Sequence, residues 1–175
     1  MKTLTYLMAG VLLLFTLQAC HDKKAKNFNQ EQDDQDGVVF IKSGIESGLA
    51  EIKASGMVIT NSNNQKVIGL AKTLIEDHSK INEELKELEK DKNITETDTI
   101  SHAHLLLLGD LSKKSGPAFD KIYLQMMVAD HEKALKLYTN ASKNSDSNIR
   151  TIASQNLASI KMHLDSANAI CIALK

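Results

Sequence analysis

From Gly37 onward, apolar residues recur at alternating three- and four-residue spacings, the period of an α-helix with one buried face. The pattern predicts a first helix over about Val38–Val58, broken by "TNSNNQ". A second helix is predicted over about Asn63–Lys90, with Ser62 and Gln65 as a capping box. "DKNITETD" reads as a loop, from which Asp98 or Thr99 can cap a shorter helix over Ile100–Lys114. Pro117 suits the first turn of a third long helix that runs to about Ala141. After "SKNSDS", a fourth is predicted over about Asn148–Leu174. Its seam is the clearest in the chain: Ile149, Ala153, Asn156, Ile160, His163, Ala167, Ile170 and Leu174. No stretch alternates as a strand would. The expected fold is therefore all-α, a four-helix bundle with a short crossover helix between the second and third long helices.

Residues before Gly37 do not follow this pattern. "MKTLTYLMAGVLLLFTLQAC" has a positive Lys2 and an apolar run from Leu4 to Leu17 that is short for a membrane span. "LQAC" at Leu17–Cys20 has the form of a bacterial lipobox, in which Ala19 precedes a cysteine that is acylated before cleavage. An ordinary secretory signal with a chance cysteine is the alternative. The expected organisation is a signal peptide over residues 1–19, a flexible tether over 20–36 and the bundle over 37–175. The mature chain would be held in a membrane of the bacterial envelope through acylated Cys20 and would face the periplasm. His21 in place of aspartate fits sorting to the outer membrane. With Cys20 acylated, Cys171 has no disulfide partner, and in "NAICIAL" it reads as a small hydrophobe.

The 175 residues carry a formal charge of −1, which leaves no basic footprint for nucleic acid. Phosphate-binding loops, metalloprotease histidine pairs and nucleophile elbows are absent from the sequence, so no catalytic residue is assigned. The unusual feature lies on the apolar faces themselves. "LIEDHSK" at Leu74–Lys80 and "MVADHEK" at Met127–Lys133 each set a histidine in mid-stripe. At 100° per residue, His78 sits among Ala71, Leu74, Ile75, Ile81 and Leu85, and His131 among Leu124, Met127, Val128, Ala134, Leu135 and Tyr138. His163 lies on the fourth seam. Glu51 shares a face with Gly44, Ser47, Gly48, Ala54 and Ser55, small residues that would let another helix approach closely.

All four polar residues fall about thirteen to sixteen residues into their helices, so they should share one layer of the bundle whichever way each helix runs. Glu51, His78, His131 and His163 are thus candidate ligands for one divalent metal of the zinc, copper, manganese or iron type. Asp77, Asp120, Tyr123 and Asp130 are candidates to orient the rings. Shared coordination requires the imidazole nitrogens to come within about 5 Å of one another. Two other readings stand beside it: a metal-free polar network that sets helix register, and unrelated histidines. Met126 and Met127 read as core filler, and "HAH" at His102–His104 as an exposed helix start.

"FIKSGIESGLAEIKASGMV", "LIEDHSKINEELKEL" and "SGPAFDKIYLQMMVADHEKALKLY", together with His163, resemble the bacterial domain-of-unknown-function family 4142, often labelled as outer-membrane proteins. The resemblance covers about Val39 to Ala173, and "FDKIYL…VADH" is its most specific part. It implies a ferritin-like bundle, a fold in which many relatives carry metals. It does not imply a di-iron centre. Glu-x-x-His would be needed on two helices, and Ile75, Val128 and Ile160 stand where those glutamates would be. A metal-dependent oxidoreductase is the least favoured function, and protein partners are not indicated.

Overall fold

The computed structural model describes residues 23–95 and 99–174, with side chains from residue 30 onward. The leader, Cys20 and His21 lie outside the described residues, as does the candidate cap Asp98. Among the described residues there are five helices: α1 (Lys23–Asn61), α2 (Gln65–Asp91), α3 (His102–Leu111), α4 (Gly116–Ala141) and α5 (Ser147–Ala173). None of them is long and apolar enough to cross a membrane.

Local chemistry ends each element. Asn64 caps α2 by accepting from the Lys66 amide, so the cap falls two residues later than the expected Ser62 box; Ser62 instead accepts from the Asn64 amide. At the other end of α2, Asn93 takes a left-handed φ of 55°, and the amides of Asn93 and Ile94 donate back to Lys90 and Glu89. That pair of bonds is a Schellman stop, with Ile94 folded onto the core beside Leu88. Ser101 caps α3, Pro117 occupies the first turn of α4, and Asp146 caps α5 through the Asn148 and Ile149 amides.

The expected tether is corrected from Lys23, where α1 already begins. Residues 30–36 are exposed apart from half-buried Asp33, so their polarity does not signal a lack of helix. Gln32 donates to Asp36 one turn on, and Asn144 donates to the Asp33 carbonyl, docking the α4–α5 turn on α1. A Cβ at Gly37 would collide with the Ile149 side chain.

The antiparallel pairs α1–α2 and α4–α5 pack as two hairpins, α1 against α4 and α2 against α5. One apolar cluster joins Ala54, Val58, Val67, Leu74, Phe119, Met127 and Ala167; the other joins Phe40, Ile45, Ile81, Leu85, Tyr138, Ile149 and Ile160. Following each helix from cluster to cluster shows α2 and α4 running parallel, with α1 and α5 opposite. The connection after α2 must therefore travel the length of the bundle. Its helical part, α3, lies on α1 and α4 and buries Leu108 and Leu111 in the first cluster.

Close packing of α1 on α2 depends on the two glycines singled out in the sequence. Leu85 fills the space beside Gly44, at 2.6 Å from where a Cβ would stand, and the Asn82 amide fills the space beside Gly48. The backbone approach compensates glycine's helix penalty of about 1 kcal/mol and brings Glu51 against α2.

Candidate metal centre

Between the two apolar clusters lies a slab with one polar side chain from each long helix. His78 lies between Leu74 and Ile81, His131 between Met127 and Ala134, and His163 between Ile160 and Ala167, while Glu51 sits at the edge of the first cluster, next to Ala50 and one turn before Ala54. All four are buried, with exposures of 0 % for Glu51, His131 and His163 and 4 % for His78. One nitrogen from each of the three imidazoles lies within 4.8 Å of the others, and the rings stand 5.2–5.3 Å apart. The layer expected from helical depth is present, and its three histidines could hold a metal ion.

Hydrogen bonds outside the slab select the ring nitrogens that face inward. His131 donates from Nδ1 to the Met127 carbonyl at 2.8 Å, which leaves Nε2 as a lone pair. His163 donates from Nε2 to Asp77 at 2.8 Å, which leaves Nδ1, buried and without a hydrogen-bond partner. Ser159 supports the same carboxylate at 3.1 Å. Nε2 of His78 and Nε2 of His131 are 3.3 Å apart, which is about the edge of a tetrahedron of donors at 2.0–2.1 Å from a central zinc. Glu51 Oε2 stands 2.7 Å from the first and 3.6 Å from the second. Oε2 is held by His78 as a close ion pair, and Oε1 has no hydrogen-bond partner.

The electrostatics follow from burial opposed by mutual attraction. Burial alone would raise the Glu51 pKa, but the charges of His78 and then His131 hold it down to about 2. Burial works against His78 as an imidazolium, yet Glu51 raises its pKa. His163 is held down to about 4 by burial and by the neighbouring rings, against the pull of Asp77. A neutral His163 at physiological pH keeps its inward lone pair.

Of the four residues expected to orient the rings, Asp77 alone does so. Tyr123 and Asp120 share the α4 seam with His131 but stand about 12 and 16 Å along the helix from it. Tyr123 instead bonds Ser55 at 2.8 Å, and Asp120 is buried with Oδ1 unpartnered. Asp130 adjoins His131 in sequence but, on a helix, points about 100° away from it. It meets His104 Nε2 at 3.2 Å and Lys133 at 3.0 Å.

His104 also corrects the reading of "HAH". It is 9 % exposed, and its Nδ1 donates to Glu46 at 2.6 Å, so one imidazole ties α3 to both α1 and α4. Glu46 additionally accepts from the Ser101 amide. Asp130, and after it Glu46, push the His104 pKa up to about 9. Because the folded value lies above the ordinary 6.5, the stabilisation is complete below about pH 6.5 and is lost as pH rises through about 9. After allowance for solvent screening at this partly open site, the loss is expected to be on the order of 1–2 kcal/mol between pH 6 and pH 10. Urea unfolding at the two pH values measures it, and an undiminished loss in His104→Ala would show that another group is responsible.

Two further buried or half-buried polar residues belong to these networks. Asn82 follows His78 by one turn on the apolar face, and both of its amide atoms are buried without hydrogen-bond partners. Glu46 lies on α1 between Ile45 and Ser47, but its partner on α3 is 58 residues away.

The family model for DUF4142, a domain of unknown function, matches residues 22–170. No curated protein and no solved structure matches the chain.

Proposed function

The chain belongs to the DUF4142 family, whose domain has no known role, and we propose that it is an envelope protein holding one divalent transition metal in the Glu51–His78–His131–His163 layer. One observation carries this reading. Glu51 Oε1 and His163 Nδ1 are buried without hydrogen-bond partners, and Glu51 Oε2 stands 2.7 Å from one of two imidazole nitrogens that are themselves 3.3 Å apart. A network kept only to set helix register would satisfy its own members, because each orphaned buried group is costly. A cation would satisfy all of these donors together. Three nitrogens and one carboxylate suit zinc, copper or iron better than magnesium or calcium, which prefer oxygen. Asp77 behind His163 and the Met127 carbonyl behind His131 supply the outer hydrogen bonds that metal-binding imidazoles use. The role proposed for the layer is metal binding, and no reaction is assigned to it.

Elemental analysis of the tag-free chain after reconstitution tests the metal. About one equivalent is expected, and binding weakened by on the order of 100-fold in His78→Ala and His131→Ala. Less than about a tenth of an equivalent in the unaltered chain would end this reading.

The proposed location rests on the lipobox at Leu17–Cys20 and the apolar run before it. Acylated Cys20 would hold the bundle to the outer membrane on its periplasmic side. Membrane fractions of bacteria expressing the chain are expected to contain it, and Cys20→Ser to move it to the soluble fraction. Retention of the Cys20→Ser chain in the membrane would refute acylation as the anchor.

A further inference from the structure

A buried centre needs a way for its ion to come and go. The two hairpins meet along two seams. The α1–α4 seam is covered by α3, and the groove on that side reaches His104 and Asp130 but none of the four site residues. Among the described residues, no element covers the α2–α5 seam. It carries a groove of about 510 Å³ walled by Leu70, Thr73, Met162, Ser166 and Ile170, with His163 at its floor.

The four donors also differ in how firmly they are held. Glu51 and His78 stand on the α1–α2 hairpin, packed tightly at Gly44 and Gly48. His131 is tied to the backbone of its own helix through Met127. His163 is tied across the open seam to Asp77, whose side chain is 28 % exposed. Building on the metal reading above, we infer that the ion exchanges through the α2–α5 seam, with His163 as the donor that opens. Asp77, which already accepts from His163 Nε2, keeps hold of the imidazole as it turns away from the other three donors. The centre then handles exchangeable metal, as a carrier or buffer would, and does not lock a permanent structural ion in place.

Gly69 provides the test, because a Cβ there meets nothing within 4 Å and a side chain would project beside the groove. Gly69→Leu also removes a mid-helix glycine, so the variant should fold at least as well. Gly109→Leu on α3, equally open, serves as the control. With zinc-loaded full-length protein, release to excess chromogenic chelator is expected to slow on the order of fivefold or more in Gly69→Leu, with stoichiometry unchanged and Gly109→Leu like the unaltered chain. Equal release from Gly69→Leu and the unaltered chain would overturn the route while leaving the metal reading intact.

A metal-free arm separates the two ideas further. Acylation by diethyl pyrocarbonate, mapped by peptide mass, should reach His163 before His78 and His131. Gly69→Leu should slow it at His163 and leave exposed His102 unchanged. Failure to take up zinc refutes the metal centre, and the acylation order then decides access through the seam alone. Reaction of His163 no sooner than His131, or no effect of Gly69→Leu, overturns that access.

Discussion

Zinc supplied at a thousandfold excess over its dissociation constant is expected to stabilise the folded chain by about 4 kcal/mol, since the layer exists only when four helices are assembled. For a domain of this size, that corresponds to a rise in Tm of roughly 8–16 °C. The gain should shrink on acidification, because protons compete with the metal for imidazole nitrogens. It should also shrink in His163→Ala, which removes one donor without disturbing the packed α1–α2 hairpin. Magnesium and calcium should give little, because the donors are mostly nitrogen. Thermal scans monitored by circular dichroism measure all of this. A shift below about 1 °C with millimolar zinc, or equal shifts with magnesium, would exclude a specific nitrogen-rich centre.

Replacement of the whole layer should have a second large effect, opposite in sign to that of replacing one member. In the metal-free chain, His78→Leu removes the nearest partner of Glu51 and leaves a buried carboxylate with only the more distant His131, at 3.6 Å, to offset it. A loss of about 3–5 kcal/mol is expected, the usual cost of stranding one member of a buried ion pair. Replacing Glu51, His78, His131 and His163 together by leucine joins the two apolar clusters into one core. That chain is expected to be more stable than the unaltered metal-free protein, by about 1–4 kcal/mol, and to bind no metal. Urea unfolding of the set measures the non-additivity directly. A fourfold variant less stable than the starting chain would mean that the layer supports the fold in its own right, as a register-setting network would.

Much of this architecture is legible in the sequence because helical periodicity and helix depth are local quantities. His78, His131 and His163 sit in mid-stripe and at similar depth, so their convergence follows from the 1.5 Å rise per residue whatever the topology. Asp77 is legible for a similar reason, since it precedes His78 and so falls beside the next helix. What stays hidden depends on partners distant in the chain. Nothing near His104 indicates that Glu46 and Asp130, on two other helices, will enclose it. Asp120 and Tyr123 share the seam with His131, yet the seam direction alone does not exclude them; counting the rise along α4 does. The polar stretch before Gly37 reads as tether because it lacks an apolar face. A helical stretch whose side chains stay mostly exposed, as over residues 30–36, needs none.

The polar slab between the two apolar clusters also bears on how the molecule comes apart. Each long helix crosses both clusters, so each contributes to two cores separated by a weak plane. The interior therefore offers two places at which melting can begin, joined by side chains whose own bonds are incomplete. An ion in that plane would couple the two ends and make their loss a single event. Without it, cooperativity rests on helix continuity, and the middle of the bundle, usually the last part of such a fold to open, becomes its fault line.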